Sequence, residues 1–190
     1  MAQPLDMANK GFMIVGPRGS GKSNLAKYFL SLQTSHLVYD PLLEYDGYNR
    51  YQPEDRYSKD ELDRVIDHVQ ATRPRLFIVD EGNRYFEPHP KPLTRSQQDI
   101  NDFSRHWGVS WGLLSRRPVQ VSTQVTEIVD RLFVFRLSGR NDRAFFDAKV
   151  VGLGEVVARL DDFHFLVLDQ QGDYYVHNPV PLQEISRGQV

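Results

Sequence analysis

Cysteine is absent from all 190 residues, which excludes disulfide bridges and thiolate-bound metals. No apolar run approaches the roughly 20 residues needed to cross a bilayer, so an integral membrane protein is not expected. The segment from Met1 to Asn9 lacks the basic start and apolar middle of a secretory signal, and a cytoplasmic location is the expectation. Strong net charge is missing too. At −2 overall, the molecule as a whole does not attract nucleic acid. A basic face concentrated in one place can still do so. One stretch qualifies: Arg116, Arg117, Arg131, Arg136, Arg140 and Arg143 stand against only Glu127, Asp130 and Asp142.

What is present is ordinary for a globular chain, with 40% hydrophobic and 25% charged residues. This length fits one domain, 1–190, with a substantial core. Short apolar runs read as strands at Phe12 to Val15, His36 to Tyr39, Leu76 to Val79, Ser110 to Leu114 and Arg131 to Leu137. Helical spacing of apolar residues marks Lys22 to Leu32, Lys59 to Ala71 and Thr94 to His106, the last with Thr94 as its N-cap. Shorter helices are expected around Val121 to Ile128, Asn141 to Val150 and Glu155 to Leu160. Phe163 to Leu168 and Tyr174 to His177, joined through Gln170-Gln171-Gly172, read as a C-terminal β-hairpin. The tyrosine-rich segment from Leu42 to Ser58 reads as a long surface loop. Strands alternating with helices predict an α/β domain built on a mainly parallel sheet.

Gly16-Pro17-Arg18-Gly19-Ser20-Gly21-Lys22-Ser23 matches G-x-x-x-x-G-K-[ST], with a strand before it and a helix after it. Such a loop turns successive backbone N–H groups towards phosphate oxygens, and the helix adds its positive end. Lys22 is expected to reach the β- and γ-phosphates and the Ser23 hydroxyl to bind Mg²⁺. The nucleotide-holding set is therefore Gly16, Pro17, Arg18, Gly19, Ser20, Gly21, Lys22, Ser23 and Asn24. A second apolar strand, Leu76 to Val79, delivers Asp80 and Glu81 at its carboxyl end, where α/β sheets bind ligands. Asp80 fits the magnesium partner and Glu81 the base that orients an attacking water. A nucleotide kinase would not need that glutamate, and a GTPase would carry an N-K-x-D segment that this sequence lacks. The chemistry implied is ATP hydrolysis with Mg²⁺.

Four segments together resemble the HerA–FtsK superfamily of DNA-pumping ATPases. Besides the phosphate loop and Asp80-Glu81, these are Asp40-Pro41-Leu42-Leu43-Glu44-Tyr45, similar to a D-P-x-x-E-Y element, and the stretch from Trp107 to Leu137, which includes Arg116-Arg117-Pro118. The resemblance spans roughly residues 11 to 145. It implies a RecA-like fold of the additional-strand, catalytic-glutamate type, and a homo-oligomeric ring, hexamer or pentamer, acting on double-stranded DNA. One position departs from the pattern: where the family usually carries a glutamine sensor, this chain has Arg116. Rings of this kind complete each site with an arginine from the next subunit. Arg140 and Arg143 are the first candidates, Arg84 and Arg105 the second.

The compact size resembles the genome-packaging ATPases of internal-membrane icosahedral viruses. That resemblance implies work in the host cytoplasm or at a virion vertex, alongside a capsid-vertex or viral membrane protein. The alternatives are a HerA-like translocase in DNA repair, a phage assembly or secretion ATPase acting on protein, and a nucleotide kinase or ATP-gated binding module.

Overall fold

The computed structural model describes Leu5 and residues 7–183. Its centre is an eight-stranded sheet in the order β3-β2-β4-β5-β1-β6-β7-β8. The strands are β1 (Gly11–Val15), β2 (His36–Tyr39), β3 (Arg50–Tyr51), β4 (Leu76–Val79), β5 (Ser110–Ser115), β6 (Arg131–Phe135), β7 (Phe165–Asp169) and β8 (Tyr174–His177). β1 to β6 run parallel, and β7 and β8 close one edge as an antiparallel hairpin.

Apolar runs without alternation belong to strands covered on both faces, and β1 shows how one run serves two cores. Phe12 and Ile14 enter the cluster under α1 (Lys22–Ser31), with Leu25, Ala26, Phe29 and Leu30. Met13 and Val15 enter the opposite cluster. That second face is covered by α2 (Lys59–Thr72), α3 (Arg95–Trp107), α4 (Thr123–Thr126), α5 (Arg140–Asp147) and α6 (Leu153–Ala158). Edge-to-face rings fix α1 to the sheet. Phe12 and Phe29 lie 5.5 Å apart, and Phe29 and Phe133 5.1 Å. Each such ring contributes about 1.5–3 kcal/mol through burial, so the helix that begins at the phosphate loop is firmly seated. Gly112 lies opposite Phe12 in the β1–β5 register. A Cβ there would come 2.3 Å from the Phe12 ring, so only glycine admits that packing.

The strand order carries the functional consequence. β5 lies between β1 and β4, pairing Ile14 with Leu114 and Ile78 with Gly112. This is the additional strand expected of the fold. Two inter-strand spacings, about 10 Å, therefore separate the end of the phosphate-loop strand from the strand carrying the acidic pair.

Several boundaries differ from expectation. The segment from Leu42 to Ser58 is not only a surface loop: Arg50–Tyr51 pairs in parallel with Val38 and Tyr39, and Tyr45 is fully buried. Polar pairing organises this segment in place of an apolar run. Glu61, buried on α2, accepts bonds from the N–H groups of Glu54 and Asp55 and from the Tyr51 hydroxyl. The helix around Val121 to Ile128 narrows to Thr123–Thr126 after a 3-10 turn at Pro118–Gln120. β6 ends at Phe135, opposite Phe165 at the start of β7, and Arg136 just beyond it pairs with Asp162. Thr94 caps α3 as expected, with Gln97 completing a reciprocal capping box.

Candidate active site

The phosphate loop leaves β1 at Val15 and is pinned to β5 by the Gly16 N–H, which donates to the Ser115 carbonyl at 3.2 Å. Gly21 caps α1 at φ 107°, a left-handed conformation that a side chain would strain. Lys22 donates from Nζ to the Pro17 carbonyl at 2.9 Å, folding its ammonium over the loop. Its pKa is lowered by burial, partly offset by the carboxylates of Asp80 and Glu81. Lys22 thus already senses both acids.

The D-P-x-x-E-Y element has a physical logic. Asp40, fully buried, accepts from the N–H groups of Glu44 and Tyr45, each at 3.0 Å, and pairs with Arg50 at 3.0 Å. That turn sinks Tyr45 into the core and brings Glu44 to the phosphate loop, where its Oε2 accepts from the Ser23 hydroxyl at 2.9 Å. Glu44 is a site residue to which sequence reasoning gave no role. Its signal was the spacing of four residues from Asp40.

Asp80 and Glu81 sit beyond β4 in different states. Asp80 is only 5% exposed, makes no ion pair among the described residues, and accepts from the Glu81 N–H at 2.7 Å. Burial pushes its carboxyl up to about 7, with Glu44, Glu81 and Asp40 adding to the rise. Glu81 adopts φ 49°, an uncommon left-handed backbone for a non-glycine residue and a cost that points to function. Its carboxylate is held between Arg116, 3.1 Å away, and Arg84, 3.7 Å away.

Lys22, Ser23, Glu44, Asp80, Glu81 and Arg116 line a single cavity of about 580 Å³. A larger one, about 740 Å³, opens beside β3 and is lined by His36, Arg50, Arg64 and His68 among others. It contains neither a carboxylate nor a phosphate loop, so the chemistry places the site in the smaller cavity.

Arg18, Gly19 and Asn24 line the same cavity as Lys22. Asn24 has its amide engaged, donating to the Pro181 carbonyl at 3.2 Å and accepting from the Gln183 N–H at 2.9 Å. Arg140 and Arg143 lie outside the cavity, at the start of α5. Arg143 pairs with Glu155 at 3.2 Å, while Arg140 is exposed and makes no ion pair among the described residues. Arg84 sits on Glu81 of its own chain, and Arg105 pairs with Asp130.

The available donors suit Mg²⁺, a hard cation that takes oxygen ligands and keeps several from phosphate and water. Ser23 supplies a hydroxyl, and Asp80 a buried carboxylate that makes no ion pair among the described residues. An acid stored this way destabilises the protein that holds it. The folded chain binds the Asp80 proton more tightly than the unfolded one, whose value is 3.8. The stability due to this group is therefore fully present below about pH 4 and is lost as pH rises towards 7. In nucleotide- and magnesium-free protein, Asp80→Asn is expected to raise Tm by about 5 °C at about pH 8. The gain should vanish near pH 4. Thermal melts at the two pH values check this, and an unchanged Tm at the higher pH would contradict the buried-charge reading.

Fold and site together define a class: a RecA-like P-loop NTPase architecture with the additional strand between phosphate loop and acidic pair. No protein-family model and no curated protein sequence matches the chain. Among solved structures it is similar to the genome packaging NTPase B204 of Sulfolobus turreted icosahedral virus 2 in complex with ATP-γS. The two share 18% identity over 91% of this chain and 98% of that one, with a TM-score of 0.78. It is also similar to B204, the DNA-packaging ATPase of Sulfolobus turreted icosahedral virus, at 17% identity, 93% and 100% coverage, and a TM-score of 0.79. EssC (ATPases 2 and 3) from Geobacillus thermodenitrificans matches at 9% identity over 93% of this chain and 40% of that one, with a TM-score of 0.63. At these identities the likeness establishes a shared fold.

Proposed function

We propose that this chain is an ATP-hydrolysing motor that moves double-stranded DNA, packaging a viral genome into a preformed capsid as a ring of identical subunits. The observation that carries the reading is the convergence of Lys22, Ser23, Asp80 and Glu81 on one cavity across the additional strand. The same fold is shared over nearly the whole length of proteins described as a genome packaging NTPase and a DNA-packaging ATPase.

The residues divide the work. Backbone N–H groups of the loop and the Lys22 ammonium hold the phosphates. Ser23 and Asp80 would hold Mg²⁺, which when bound neutralises charge on the β- and γ-oxygens. Glu81 orients a water and accepts its proton as the water oxygen bonds to the γ-phosphorus and the bond to the β,γ-bridging oxygen breaks, leaving ADP and phosphate. Arg116, now on Glu81, exchanges that partner for the incoming γ-phosphate and frees the carboxylate. Among the described residues no helix is long and apolar enough to cross a membrane, which is consistent with docking on a capsid vertex or a viral membrane protein as a peripheral subunit.

The deciding experiment is the steady-state ATPase rate with and without double-stranded DNA, over a range of protein concentrations. The reading expects stimulation by DNA and a rate per subunit that climbs with concentration as rings assemble. Turnover indifferent to both would leave an ATPase and remove the DNA motor.

A further inference from the structure

The groups assigned to the γ-phosphate, Glu81 and Arg116, follow β4 and β5, on one side of the phosphate-loop strand. A nucleotide anchored by Lys22 with its γ-phosphate towards Glu81 must carry its nucleoside the other way, over Gly21 towards β6 and β7. The turn that waits there is 161–164. β7 is antiparallel, with Phe165 opposite Phe135, so this turn emerges at the same end of the sheet as the phosphate loop.

Phe163 occupies the turn in an unusual state. Its side chain lines the nucleotide cavity, yet the residue is 55% exposed. Its backbone is left-handed at φ 62°. Its Cδ1 lies 3.5 Å from where a Cβ on Gly21 would stand. The turn is held from both flanks: Arg136 pairs with Asp162 at 2.6 Å and donates to the Leu160 carbonyl at 3.4 Å, and Phe165 is fully buried. A large apolar ring in water, on a backbone unfavourable for a side chain, combines two costs at one residue. Both make sense if a flat ligand covers the ring.

We propose that Phe163 is the base platform of the nucleotide site, stacking on the purine ring of the bound nucleotide. The assignment rests on the phosphate-loop reading and adds the recognition of the nucleoside end. Stacking reads the face of a base and tolerates its edge pattern. Asn24, on the same wall, has its amide engaged by Pro181 and Gln183. Purines are thus preferred over pyrimidines by area, with little discrimination between adenine and guanine.

Calorimetric titration of the full chain with Mg-ATP and with magnesium tripolyphosphate tests this. Phe163→Ala is expected to weaken ATP about 5- to 100-fold and to leave tripolyphosphate affinity unchanged. Phe163→Trp should restore ATP affinity, with its added indole emission responding to ATP and not to tripolyphosphate. If wild type binds both ligands and Phe163→Ala binds ATP equally well, the platform is wrong and the phosphate loop stands. If wild type binds neither, the phosphate-loop reading fails and the platform with it.

Discussion

Glu81→Gln is expected to bind ATP as the wild type does and to hydrolyse it at least ~10²-fold more slowly. The substitution keeps size and a hydrogen-bonding oxygen while removing the charge that accepts a proton. Position is the reason this acid, and not its neighbours, is proposed to carry the step. Asp80 is buried, with its carboxyl raised to about 7, and is the acid assigned to Mg²⁺. Glu44 is tied to the Ser23 hydroxyl. Glu81 alone is presented on a left-handed backbone at the end of β4, within 3.1 Å of an arginine that can leave it. In the nucleotide-free protein that ion pair occupies Oε1 of the carboxylate with the Arg116 guanidinium. Phosphate release under saturating Mg-ATP, measured beside nucleotide affinity, separates the two effects. A wild-type rate in the variant would transfer the water to another group, and Glu44 is the next carboxylate on the cavity wall.

What the sequence disclosed and what it hid follow from the range of the interactions. The phosphate loop is contiguous, so its spacing, preceding strand and following helix could be read directly. Asp80 and Glu81 were legible because an apolar run fixes where β4 ends. The position of β5 between β1 and β4 was implied only by the family resemblance, since the order of parallel strands depends on packing between distant segments. β3 escaped notice because Arg50–Tyr51 has no apolar pattern; its place is set by the Asp40–Arg50 pair and the Tyr51–Glu61 bond. Phe163 was read as the first residue of an apolar strand, yet β7 starts at Phe165. Left-handed backbone at Glu81 and Phe163 leaves no trace in propensity, because tertiary contacts sustain it. Asn24, expected among the nucleotide contacts, lines the cavity; its bonds to Pro181 and Gln183, which join residues nearly a chain length apart, were not legible in the sequence.

A larger loss than that of Glu81→Gln is expected from Arg140→Ala, ~10³-fold or more in turnover with ATP binding intact. The structure narrows the group of candidates by showing which arginines are already engaged. Arg143 is held by Glu155, Arg84 lies against Glu81 of its own chain, and Arg105 is held by Asp130. Arg140 is exposed at the first position of α5, outside its own cavity and without an ion pair among the described residues. An unengaged guanidinium that cannot serve its own site is suited to a neighbour's. Mixing makes this testable, because the Lys22→Ala subunit keeps Arg140 while the Arg140→Ala subunit keeps a phosphate loop. In a random equal mixture, roughly a quarter of head-to-tail interfaces join an intact loop to an intact finger. Two inactive proteins should therefore regain a measurable part of wild-type turnover, whereas Arg143→Ala alone should lose far less. A mixture as inactive as its components would remove Arg140 from the neighbouring site. Arg116, already in the cavity on Glu81, would then be the arginine that meets the transition-state charge.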